Sequence, residues 1–103
     1  MPYSADITAV RGIESYYSTP AGKMLARKVG DSLSDALGRE VRDAAYADLA
    51  VCRNMGSASA LIEVGYMTCV EEYTRMLTEE GINAAAEGIK NGIVEYFTDA
   101  AQK

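Results

Sequence analysis

The sequence contains no histidine. That excludes Ser-His-Asp and Cys-His catalysis within the chain, and any zinc site built on imidazole. Cysteine is scarce: Cys52 and Cys69 stand far apart with no CxxC, so they read as reduced core thiols rather than a disulfide or a zinc pair. The start, MPYSADITAV, has no basic stretch leading into an apolar one and so no signal-peptide pattern. The expectation is a chain that is cytoplasmic when made. No apolar run approaches about 18 residues, so no membrane span is expected. Basic residues are in the minority, 10 Lys and Arg against 15 Asp and Glu, for a net charge of −5. That is the wrong sign for nucleic acid, whose binding needs a basic surface to displace counterions from phosphates.

What is present suits one small domain: 103 residues, of which 49% are apolar. A core is within reach, but a chain this short buries only about two-thirds of its unfolded surface. Neither an internal repeat, a linker nor a low-complexity stretch divides it. The main cluster of basic residues, Lys23, Arg27 and Lys28, falls on a predicted helix. Asp31 and Asp35 follow at helical spacing, which reads as a solvated face with an i,i+4 pair between Arg27 and Asp31.

Residues 1–10 show no clear period. Residues 11–17 (RGIESYY) alternate, with Ile13, Ser15 and Tyr17 on one side and Gly12, Glu14 and Tyr16 on the other, as in a strand. Thr19 then suits an N-cap and Pro20 the first helical position, where its missing N–H costs nothing. Leu25, Val29, Leu33 and Leu37 recur every fourth residue and Gly38 suits a C-cap, predicting a helix over 20–37. A polar and alanine-rich connection leads to DLAVCR (48–53), a short apolar run read as a strand, and NMGSAS (54–59) as a loop. ALIEVGYM (60–67) is apolar on both sides of its alternation, as in a strand buried on both faces of a parallel sheet. Thr68 and Glu71 form a T-x-x-E capping box for a helix over 69–77. A last helix starts near Glu79, with Ile82, Ala86, Ile89, Ile93 and Tyr96 or Phe97 as its packing stripe. The sum is an α/β fold of order β-α-β-β-α-α, part of a three-layer sheet with helices on both faces.

Glu63 interrupts ALIEVGYM. A carboxylate in an apolar strand is costly to ionise unless it is paired or opens on a pocket. It lies late in the strand, where ligand sites of open α/β sheets are found, and Gly65 leaves the same face bare beyond it. The residues alone allow two readings. Glu63 is either a functional group or a structural carboxylate paired with Arg42 or Arg53.

The stretches DLAVCRN (48–54) and LIEVGY (61–66), followed by the acidic Glu71-Glu72, resemble the closing signature of the zinc-dependent N-acetylmuramoyl-L-alanine amidases of bacterial autolysins and phage endolysins. In that signature a leucine-arginine strand end and a short loop precede an apolar strand ending in Glu, an apolar residue, Gly and an aromatic. RGIESYY resembles the strand that follows the family's last metal histidine, and the closing helix, with Glu87-Gly88-Ile89 and Tyr96-Phe97, is also similar. The resemblance covers nearly the whole chain. It departs at Ala58, near a usual proline, and at Cys69-Val70, where the family has Asn-Pro. Both changes touch turns rather than chemistry.

The resemblance implies hydrolysis of the amide between N-acetylmuramic acid and L-alanine in peptidoglycan, at the cell wall. It implies Glu63 as the carboxylate that takes a proton from the attacking water and returns it to the leaving amine. The family's Zn2+ is held by two histidines and a glutamate upstream of the segment matched by Arg11–Tyr17, so no metal ligand carries over and residues 1–103 read as a single incomplete amidase-like domain. The chain alone is expected to hold no metal and to be inactive. Its expected partners are peptidoglycan and either a complementary N-terminal half or a second copy of itself. Two other readings stand beside this one: a non-catalytic module of the same family that binds peptidoglycan or a lysin, and an unrelated α/β interaction protein with a structural Glu63.

Overall fold

A computed structural model describes residues 12–53, 57–65, 74 and 76–101. Strand β1 (Glu14–Tyr17) leads into helix α1 (Pro20–Leu37), strand β2 (Ala45–Tyr46), a 3-10 turn (Ala50–Cys52), strand β3 (Leu61–Glu63) and helix α2 (Glu79–Ala101). The sheet order is β2-β1-β3. The mixed α/β class and the element order stand as read.

Helix α1 is bounded by its own sequence. Thr19 is extended (φ −128°, ψ 158°) and its hydroxyl accepts from the Gly22 N–H at 3.3 Å. At the other end Gly38 is left-handed (φ 65°, ψ 36°), and its N–H reaches the Ser34 carbonyl at 2.9 Å. The helix carries two adjoining buried faces, roughly 50° apart around its axis. Gly22, Ala26 and Gly30 lie over the sheet: a Cβ on Gly22 would meet the Ser59 carbonyl oxygen at 2.3 Å, and one on Gly30 the Val41 Cγ2 at 3.2 Å. Val29, Leu33 and Ala36 face α2. Ile13, Val29, Leu33, Leu37 and Ala85 form the core, with Ile62, Val64 and Ile89 packed against it.

Helix α2 corrects the expected packing stripe. Its buried residues are Gly81, Ala85, Gly88 and Gly92. Ile82, Ala86, Ile93 and Phe97 are exposed, and Ile89 and Tyr96 are half-buried. The physical reason is close approach: small residues let the two helix backbones touch, and the bulky side chains then fall on the flank. Lys28 pairs with Asp99 across the same contact.

Three further readings change. DLAVCR is not a strand. The Cys52 N–H bonds to the Leu49 carbonyl at 2.9 Å and the Arg53 N–H to that of Ala50 at 3.4 Å, so the chain winds locally. Ala45–Tyr46 takes the place beside β1, in parallel register (Tyr16↔Ala45, Tyr17↔Tyr46). β3 is antiparallel to β1 and is not buried on both faces: Leu61 and Glu63 are exposed and only Ile62 turns inward. At the sheet edge, its outer face carries no helix among the described residues. The i,i+4 pair also gives way to a tertiary one, because Arg27 makes a two-pronged bond to Asp43 at 3.0 and 3.1 Å. Cys52 is a buried free thiol. Cys69 and nearly all of the helix predicted over 69–77, with its capping box, lie outside the described residues. No helix among the described residues is long and apolar enough to cross a membrane.

Candidate functional site

The two-residue period of a strand sorts β1 into faces. Ile13 and Ser15 turn toward the helices and are buried; Glu14 and Tyr16 turn the other way. The antiparallel register pairs Glu14 with Glu63 and Tyr16 with Leu61. Glu14, Tyr16, Leu61 and Glu63 therefore share the sheet face away from α1, with Glu63 directly across from Glu14.

The two carboxylates live differently. The Glu14 side chain is only 14% exposed. One of its oxygens accepts from the Arg42 guanidinium at 2.7 Å and the other from the Tyr16 hydroxyl. Glu63 is exposed, and among the described residues no hydrogen bond or ion pair engages it. Both arginines of the structural reading are committed elsewhere, Arg42 to Glu14 at 2.7 Å and Arg53 to Asp48 at 2.6 Å. Gly65 follows half-buried, just past the strand end.

Tyr16 reports this arrangement. Its pKa is pushed up to about 12, first because its hydroxyl donates to Glu14, then by burial and by the negative charges of Glu14 and Glu63, with Arg42 opposing. Ionising the phenol breaks the bond and sets anions together. In a titration followed by phenolate absorbance, one tyrosine should lag behind the ordinary value near about 10, and Glu14→Gln should return it toward that value. Since the folded-state pKa is raised, this group's contribution to stability is present below pH ~10 and fades as pH rises toward about 12. A wild-type titration with no late tyrosine contradicts the Tyr16–Glu14 bond.

The residues present do not fit a zinc site by themselves. No three His, Cys, Asp or Glu side chains gather to hold a metal among the described residues, and the chain has no histidine to contribute. Sequence reasoning singled out Glu63 and offered Arg42 as its partner, but missed Glu14 and Tyr16, and Arg42 is found on Glu14. The alternation of RGIESYY put Glu14 and Tyr16 on one face, yet only the register of β1 against β3 brings that face to Glu63.

A family model described as N-acetylmuramoyl-L-alanine amidase matches residues 4–95. Among solved structures the chain is similar to the catalytic domain of CwlV, an N-acetylmuramoyl-L-alanine amidase from Bacillus (Paenibacillus) polymyxa var. colistinus, with 32% identity and a TM-score of 0.79 over 88% of this chain and 51% of that one. It is similar to the amidase AmiC2 of Nostoc punctiforme, with 31% identity and a TM-score of 0.82 over 93% of this chain and 53% of that one. A third, the N-acetylmuramoyl-L-alanine amidase of Clostridium difficile 630, shows 26% identity and a TM-score of 0.80 over 88% of this chain and 50% of that one. The chain thus spans about half the length of the solved relatives it matches. A search of curated proteins finds no match.

Proposed function

The chain belongs to the N-acetylmuramoyl-L-alanine amidase family, and from that membership we propose that it supplies the proton-transferring half of a peptidoglycan amidase, with Glu63 as the carboxylate that does the work. The observation that carries this reading is that no hydrogen bond or ion pair engages Glu63 among the described residues. It stands exposed at the end of β3, while the arginines that would have made it structural are bound to Glu14 and Asp48. A carboxylate held on a sheet and left without a partner is available for a proton.

The reaction follows from that one group. Water attacks the carbonyl carbon of the amide between muramic acid and L-alanine, and Glu63 takes its proton as the new C–O bond forms. The C–N bond then breaks, and Glu63 returns the proton to the amine of the departing alanine. Glu14 keeps its own oxygens occupied by Arg42 and Tyr16. It therefore stays out of the exchange, and Glu63 is the unpaired carboxylate of that face among the described residues. The chain has no histidine, so the family's zinc ligands must come from outside the described residues.

The test is reconstitution. The portion of the CwlV catalytic domain that this chain does not match is fused ahead of residues 1–103, and peptide release from purified peptidoglycan is measured with zinc present. The fusion should release peptide. The chain alone should release none and should retain no zinc by elemental analysis after dialysis. A cooperatively folded fusion without activity supports a non-catalytic module instead.

A further inference from the structure

We infer that Glu14 is a positioning residue: by holding Arg42, it keeps the Glu63 carboxylate out of an ion pair. The catalytic consequence rests on the proposed function, but the pairing itself does not.

The strand order puts the three charges in a row. Val41 bridges Ile13 in parallel, with the Ile13 N–H on the Glu40 carbonyl and the Arg42 N–H on that of Ile13, both at 2.9 Å. Arg42 is therefore the neighbour of Glu14 on one side, as Glu63 is on the other. Side chains alternate between faces along an extended chain. Ile13 lies in the core and Val41 packs against it, so Glu14 and Arg42 both turn to the opposite face, the one that carries Glu63. Two interstrand steps of about 4.8 Å separate the backbones of Arg42 and Glu63. An arginine and a glutamate reaching toward each other can close that gap. The Tyr16 hydroxyl is influenced by Glu14, Glu63 and Arg42 together, so the four groups share one neighbourhood.

One arginine thus lies within reach of two carboxylates, and Glu14 takes it. Three features decide the competition. Glu14 stands one strand away from Arg42 and Glu63 stands two. The Glu14 side chain is only 14% exposed, and a carboxylate withdrawn from water needs a charged partner more than an exposed one does. The Tyr16 hydroxyl donates to the second oxygen of Glu14 and fixes its carboxylate for the guanidinium. Arg42 accordingly donates to Glu14 at 2.7 Å, and among the described residues nothing pairs with Glu63. Arg42, 57% exposed, has room to swing. With the Glu14 charge removed, its attraction is to Glu63, and a guanidinium there would engage the oxygens that have to take up the proton of the attacking water.

The test uses the unmatched portion of the CwlV catalytic domain fused ahead of residues 1–103. In Glu14→Gln, a crystal structure should show the Arg42 guanidinium within about 4 Å of the Glu63 carboxylate. The kcat should fall about fivefold, the upper end for an ion pair between exposed groups. Measured against the parent at the same salt, that loss should shrink toward about 1 M, where such pairs are screened. Arg42→Gln added to Glu14→Gln should recover the lost rate, whereas a merely structural Glu14 predicts losses that accumulate. Glu14→Ala is the second variant, in case glutamine retains the guanidinium through its amide oxygen or its fusion does not fold. Two results overturn the inference: folded variants in which Arg42 stays away from Glu63, or a rate loss that neither salt nor Arg42→Gln relieves. An inactive fusion, or one whose rate ignores the new pair, counts against the role of Glu63 instead, and the position of Arg42 in the variants still decides the inference.

Discussion

Glu63→Gln in an active reconstituted amidase should lower kcat by about a hundredfold or more, the usual scale for a general acid–base group, while leaving the melting transition where it was. Both halves of that expectation come from the same observation. The carboxylate is exposed and unpaired among the described residues, so the amide replaces it without orphaning a donor or opening a cavity. It also removes a like charge from across the strand, since Glu14 and Glu63 are register partners. Like charges directly opposite cost up to about 1 kcal/mol, so any change in stability should be a small gain. A structural carboxylate predicts the reverse, an unchanged rate and an earlier melt. Steady-state kinetics and a thermal scan on the same preparation separate the two, and a full-rate variant would falsify the role assigned to Glu63.

Gly92→Ala should be among the most damaging single-atom additions available to this fold. A Cβ at position 92 would lie 2.5 Å from the Val29 Cα, 2.9 Å from the Lys28 carbonyl oxygen and 3.0 Å from the Val29 nitrogen. All three are backbone atoms of α1, so no side-chain rotation relieves the contact and the helices have to separate. Two effects oppose each other. Alanine is the better helix former by about 1 kcal/mol, whereas overpacking a close contact costs about 1–3 kcal/mol or more. With the obstruction entirely backbone the steric cost should win, leaving a net loss of about 2 kcal/mol and a Tm lowered by roughly 10 °C. Asn91→Ala is the control. That position directly precedes Gly92 and is exposed, so the variant collects the propensity gain without the clash and should melt no earlier than the parent. Gly92→Ala melting with the parent would mean that α1 and α2 are not in backbone contact.

Much of the site's chemistry was legible in the residues, but its surroundings were not. Glu63 announced itself as one charge inside LIEVGY, because a carboxylate in an apolar run needs a reason. The structural reading offered Arg42 or Arg53 as its partner, and the structure pairs Arg42 with Glu14 and Arg53 with Asp48. Charge says which residues can pair and not which will. Arg42 finds Glu14 because the segment after α1 returns alongside β1, with Ile13 bridged to Val41. Tyr16 joins the cluster for the same topological reason.

Sequence by itself determined the elements whose causes are local. Helix α1 begins at the Thr19 cap and ends at Gly38 because capping, proline geometry and left-handed glycine act over a few residues. The absence of histidine set what the chain cannot hold by itself, and the amidase signature set its family. Tertiary structure alone decided everything that depends on which surfaces meet. DLAVCR and ALIEVGYM are apolar enough for buried strands, yet Ala50–Cys52 winds into a 3-10 turn and Leu61–Glu63 becomes an antiparallel edge among the described residues. Hydrophobicity asks only that a side chain leave water, and several partners satisfy that equally. The stripe of α2 shows the reason most clearly. Ile82, Ile93 and Phe97 carry the larger hydrophobic signal, but Gly81, Ala85, Gly88 and Gly92 make the contact, because backbone-to-backbone packing is won by the absence of a side chain, and an absence has no hydrophobic periodicity to read.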